Sequence, residues 1–160
     1  MQSATRPAPS LLAAWLVTGI MSAILLSYLV FCLTQGNATI TPLPETDRVA
    51  LRTAFYVIAI ITFPITNLIR HIQLRLNQTM PLPKADYLSV AKSRYLLTVI
   101  VSLALISSIG SFGFAMFLMG DTLNNLYIFV GMSALGLFLY RPKDQEFDAI
   151  VSALAEKTLG

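Results

Sequence analysis

Asn67, Arg70, His71 and Arg75 recur on successive helical turns where an uncharged apolar run meets charged residues. An imidazole between two guanidinium groups could relay a proton or hold an anion. The plainer role is an interfacial polar group that ends a membrane span, and the position favours it. With one histidine in the chain there is no bis-histidine haem site and no histidine-rich zinc or di-iron cluster. Cys32 is also alone, which excludes an intrachain disulfide framework and any multi-cysteine metal site. Leu29, Val30 and Phe31 before it lack the small residues that precede a lipid-modified cysteine. A buried apolar thiol is the expected role of Cys32. The triplet Asn37-Ala38-Thr39 matches a glycosylation acceptor, but such triplets are common by chance. The chain contains no phosphate-binding glycine loop, nucleophile elbow, acid pair or paired CxxC. Neither enzymatic chemistry nor a cofactor is expected.

The background to these residues is lipid-like. Of 160 residues 56% are hydrophobic and 12% charged, with a mean hydropathy of +0.70. Soluble domains carry about a quarter charged residues. The net charge of +3 and pI near 9.2 do not indicate nucleic acid, because the cations lie at the ends of apolar runs. Four runs, 11–34, 53–69, 95–120 and 122–140, contain no Asp, Glu, Lys, Arg or His. A helix needs about 20 apolar residues to cross the hydrocarbon, so the first and third are ample and the other two short. They are apolar all round, unlike barrel strands, and in lipid only helices satisfy their own amides. The chain reads as a single all-α integral membrane domain over 1–160, with four spans forming two antiparallel hairpins. The first run is too long for a cleaved signal segment and lacks a small-x-small site, so it reads as a retained span.

Boundary residues fit that organisation. Pro7 and Pro9 precede the first run, Gly36-Asn37 closes it, and Pro42 and Pro44 keep the next loop extended. Pro81 and Pro83 interrupt the connection 70–94, Gly120-Asp121 makes a tight turn, and Pro142 ends the fourth run. Arg70, Arg75, Lys84, Lys92 and Arg94 fall in the basic loop 70–94, and Arg141, Lys143 and Lys157 in the tail 141–160. The opposite side has only Arg48 and Arg52, with Glu45, Asp47 and Asp121. The positive-inside rule then puts both termini and the 70–94 loop in the cytoplasm.

Two flanking segments are amphipathic. Ile65, Leu68, Ile69, Ile72 and Leu76 form an apolar stripe that prolongs span two towards Met80. Phe147, Ile150, Val151 and Leu154 form another in the tail, behind the acids Asp144, Glu146 and Asp148 that suit a helix N-terminus. This short C-terminal helix is expected to lie on the membrane or to dock on protein; its acidity favours docking.

Ala104, Ser108, Ser111 and Ala115 give span three a face of small residues on which helices can approach closely in lipid. Thr18 and Ser22 offer a similar face on span one, as Gly131 and Ala134 do on span four. Pro64 is expected to kink span two and to free a carbonyl near Ala59–Ile60. The stretch from Ser108 to Gly120 resembles rotary-ATPase proteolipid subunits in its small residues. Those need a mid-helix carboxylate that is missing here, so ion translocation is not implied.

The expected function is that of a non-catalytic membrane subunit or accessory protein, working through helix packing and its cytoplasmic basic loop and tail. Its partners would be the lipid bilayer and a second copy or another membrane subunit, with no nucleic acid. The alternative is a small oligomeric transporter or channel lined by Ser, Thr and Asn; uncharged spans weigh against proton-coupled transport. A lipid-modifying enzyme ranks third, since it would cluster His, Asp or Glu near the interface. A bacterial inner membrane is the simplest location.

Overall fold

A computed structural model describes residues 11–81 and 86–159. Arg6, Pro7, Pro9, Pro83 and Lys84 lie outside the described residues, as do the side chains of the Asn37-Ala38-Thr39 triplet. The described chain consists of five helices: α1 (Leu12–Thr39), α2 (Glu45–Thr79), α3 (Tyr87–Leu118), α4 (Leu123–Leu139) and α5 (Asp144–Leu159).

Their ends follow local chemistry. Pro44 leads into α2, whose first turn carries Glu45 and Asp47 at the positive end of the helix dipole. Met80, forced out of helical geometry by the following Pro81, ends it. Asp86 caps α3 by accepting a hydrogen bond from the Leu88 N–H. Three boundaries differ from expectation. Helix α2 begins at Glu45, eight residues before the uncharged run at 53, so Arg48 and Arg52 lie within it. Helix α1 runs through Gly36-Asn37 to Thr39, because a glycine in a helix costs only about 1 kcal/mol. It stops where Ile40 turns extended ahead of Thr41-Pro42. Helix α3 begins at Tyr87, before the uncharged run, so Lys92 and Arg94 lie within it.

Three helices are long and apolar enough to cross a membrane, and a fourth crossing exists if α4 and α5, bent 43° from one another, count together. Helix α4 has 17 residues, about 26 Å at 1.5 Å per residue, slightly less than a hydrocarbon core of about 30 Å.

Helix α3 is the hub. It packs on all four other helices, whereas α1 rests on α3 and α4, and α2 on α3 and α5. Only α3–α4 is therefore a closely packed antiparallel hairpin; α1 and α2 are neighbours in sequence that lean on α3 rather than on each other. Leu103, Ile106, Ile109, Leu126 and Phe129 make the centre of the core. In the most apolar stretch of α3 50% of residues are buried, against 11% in those of α1 and α2. Two long helices thus leave most of their apolar surface uncovered.

Beyond Pro64 the inner face of α2 is largely polar. Thr66, Arg70 and Asn77 are buried, while Ile65, Leu68, Ile72 and Leu76 point outward and are 44–58% exposed. In water this arrangement would be inside out. In lipid it is sensible, because a polar group gains only where protein supplies a partner and an aliphatic chain loses nothing outside. Asn77 Nδ2 donates to Thr98 Oγ1 at 2.9 Å, and Arg94 returns a hydrogen bond to the Asn77 carbonyl at 3.1 Å. Thr66 Oγ1 and Gln73 Oε1 have no partner among the described residues, so the polar hold of this half rests on Arg70 and Asn77, while Phe55 and Tyr56 stack on Phe112 and Phe129 nearer the start of α2.

Candidate functional site

The two ends of the bundle each carry one ion pair, with one member buried and the other partly exposed.

At one end α2, α3 and the α4–α5 corner meet around Arg70. Its side chain is 6% exposed, and its guanidinium pairs with Glu146 of α5 at 2.6 Å. It also donates to the carbonyls of Tyr140 (3.0 Å) and Arg141 (3.4 Å), the uncapped C-terminal end of α4. The Tyr140 ring lies under the same guanidinium at 5.9 Å. Tyr95 of α3 accepts from the Lys143 N–H at 2.7 Å and reaches Glu146 Oε2 at 3.3 Å, with its ring against the edge of Phe147. Phe147, Ile150 and Leu154 are buried, so α5 docks on protein along its apolar stripe. Lys157, near the end of α5, donates to the carbonyls of Gln78 (2.7 Å) and Thr79 (2.8 Å), and Arg94 to that of Pro81 (2.9 Å). Two cations thus complement the negative end of α2.

At the other end the turn after α3 is built around Gly120 and Asp121. The Asp121 N–H reaches the Met116 carbonyl and the Gly120 N–H that of Phe117, the paired closure that ends a helix through a left-handed residue. Gly120 has φ +87°, and a Cβ there would also press on Pro42. This turn presents the Asp121 carboxylate to α2. Arg52 grips it with two hydrogen bonds, from Nε (2.9 Å) and from Nη2. The Thr122 N–H (2.8 Å) and Asn125 Nδ2 (2.9 Å) donate to the same group, and Tyr56 donates to Asn125 Oδ1 (2.9 Å). Arg48 reaches the Gly120 carbonyl at 2.9 Å. Burial on its own would raise the Asp121 pKa, but the hydrogen bonds from Arg52, Thr122 and Asn125 outweigh it and hold the carboxyl below its usual range.

The structure divides the residues singled out from sequence. Of Asn67, Arg70, His71 and Arg75, only Arg70 is buried; the others are exposed. His71 and Arg75 line an open cleft of about 300 Å³ between α2 and α5, with Gln145 and Glu146 on its other wall. Helix α2 runs unbroken through Pro64, and the Tyr140 hydroxyl donates to the adjoining Phe63 carbonyl at 3.1 Å rather than to Ala59–Ile60. On α3, Ala104 is exposed while Ser108, Ser111 and Ala115 are half-buried. Ser111 Oγ lies 3.3 Å from the Tyr28 hydroxyl of α1. Close approach also occurs at the neighbouring glycines, where a Cβ would collide: Gly110 with Leu25, Gly113 with Phe129, and Gly136 with Ile106. There Ser133 Oγ donates to the Ile106 carbonyl at 2.9 Å. Cys32 is buried.

Sequence reading missed both ion-pair partners. Asp121 had a visible signal, an acid in a two-residue turn between apolar runs opposite Arg48 and Arg52. Glu146 had a weaker one, as one of three acids at the start of α5.

Among the described residues no three His, Cys, Asp or Glu side chains converge to hold a metal ion. Comparison with protein-family models, with curated proteins and with solved structures gives no match to this chain.

Proposed function

We propose that this chain is a non-catalytic, four-span membrane subunit that works by offering the uncovered faces of α1 and α2 to a second copy or another membrane protein. The observation that carries this reading is the contrast in burial between α3 and its two long neighbours. These faces are apolar and uncovered along most of two long helices, which leaves them open to packing by another membrane helix. The buried charged groups support the reading too, because Arg70 with Glu146 and Arg52 with Asp121 are taken up in tying helices together. Arg75, Lys92 and Arg141 remain exposed at the Arg70 end, which suits the cytoplasmic side of a cell membrane, of which a bacterial inner membrane is the simplest case. Both termini and the 70–94 loop then share that side.

The test is native mass measurement after gentle extraction, together with crosslinking between introduced cysteines at Ile20 and Ile60. A defined homo-oligomer or a stoichiometric complex is expected. A lone monomer without crosslinks would overturn the proposal, and solute flux through liposomes containing only this chain would replace it with a transporter. Labelling of cysteines at Arg75 and Asn124 from the same side of sealed vesicles would overturn the orientation.

A further inference from the structure

A groove of about 510 Å³ opens between α1 and α4. Leu25, Leu29, Ala134 and Phe138 line it, with Trp15 and Arg141 towards one end. Its two hydroxyls are spent within α1, Thr18 on the Ala14 carbonyl and Ser22 on that of Thr18, so the walls are apolar. Along α1 the lining runs from Trp15 to Leu29, about 21 Å at 1.5 Å per residue. That exceeds half of a hydrocarbon core about 30 Å thick, so the groove could take one acyl chain as far as the midplane.

Arg141 gives the groove its polarity. Its carbonyl accepts from Arg70, but its guanidinium makes no hydrogen bond or ion pair among the described residues. Instead it lies over the Phe138 ring at 4.5 Å, beside the groove. Arg70, one helix away, has its carboxylate; Arg141 has none. An unpaired guanidinium at the end of an apolar channel is complementary to a phosphate that carries a hydrocarbon chain. Trp15 stands towards the same end, at the depth where indoles mark the headgroup boundary.

We infer that this groove binds one anionic phospholipid, with its phosphate on Arg141 and one acyl chain between α1 and α4. The inference rests on the membrane reading above, and one experiment separates the two. Trp15 is the only tryptophan in the chain and lies in the groove, so its fluorescence reports occupancy. The full chain is placed in phosphatidylcholine bilayers containing a small fraction of brominated phosphatidylglycerol or, in parallel, brominated phosphatidylcholine.

The expected result is a preference of roughly fivefold for quenching by the anionic lipid, the scale of one basic residue acting on an anionic headgroup. R141Q should abolish it. A134F, which fills the groove without changing charge, should abolish it as well. R75Q, at the same end but on α2, should keep it. Equal quenching by both lipids would overturn the inference, as would a preference that survives R141Q or A134F or that R75Q removes. No quenching by either lipid, in a preparation stable without detergent, would instead remove the membrane reading itself.

Discussion

The two ends of the bundle solve one problem with opposite assignments. At the α3–α4 turn the acid is the buried member: Asp121 has a side-chain exposure of 0% and Arg52 of 31%. At the α4–α5 corner the base is buried: Arg70 is 6% exposed and Glu146 20%. The choice follows from the local backbone. The turn end supplies donors, the Thr122 N–H and the start of α4, which suit a buried carboxylate. The corner supplies acceptors, the carbonyls of Tyr140 and Arg141 at the end of α4, which suit a buried guanidinium. The short helix α4 thus receives an anion at its N-terminus and a cation at its C-terminus, each held by α2.

Removing one partner at each end measures how far these backbone groups can stand in for the lost charge. The largest effect is expected from Glu146→Ala, which leaves Arg70 buried without a counter-charge and loosens α5. Loss of about 3 kcal/mol is expected, at the lower end for a broken buried pair because Glu146 is partly exposed. Thermal unfolding in mild detergent should show it, and α5 should become the first protease-sensitive segment. An unchanged cleavage pattern would mean that Phe147, Ile150 and Leu154 hold α5 unaided.

Arg52→Ala should cost less, about 2 kcal/mol, since Asp121 retains Thr122 and Asn125 and the lost guanidinium was partly in solvent. A cost above that of Glu146→Ala would reverse the ranking of the two ends.

Acid should act on the Asp121 end in a defined direction. A carboxyl whose folded pKa is depressed contributes stability that is complete above its unfolded value, 3.8 here, and is lost as pH falls through the lower folded value. Unfolding temperatures measured down to pH 2 should therefore fall below about pH 3.8, and less steeply in Asp121→Asn. Parallel curves for the two proteins would show that the carboxylate contributes nothing.

The smallest expected effect is the coupling between the ends. Arg52 and Arg70 are 18 positions apart on one helix, about 27 Å, so the Arg52→Ala and Glu146→Ala losses should add to within about 0.5 kcal/mol. A larger deviation would mean that α2 transmits strain between its ends.

Much of the fold was legible from sequence, because the signals for helices in lipid are local. Long uncharged runs, prolines at 81 and 142, and the Gly120-Asp121 turn place most helix ends to within a few residues, the starts of α2 and α3 being the exceptions. Their first turns carry Arg48 and Arg52, and Lys92 and Arg94, and counting charges cannot tell a solvated helix from a loop. The site was far less legible. Grouping Arg70 with His71 and Arg75 relied on closeness in sequence, but adjacent residues on a helix face different ways, and only Arg70 turns inward. The small residues of α3 were legible as a group, Gly110 and Gly113 lying beside the Ala-Ser face, but only the partners' positions show which of them meet α1 and which α4.

Composition and spacing alone imply a helical chain suited to lipid, since hydrophobic length and the placement of charge are additive, residue-by-residue properties. Which carboxylate meets which guanidinium, which face of α2 turns inward, and that α1 and α2 both lean on α3 depended on the packed arrangement. The two ion pairs join residues 69 and 76 positions apart, and no periodicity along a chain encodes a pairing across it. In lipid the outward faces are unselective, so these few polar contacts are what distinguish one arrangement of apolar helices from another.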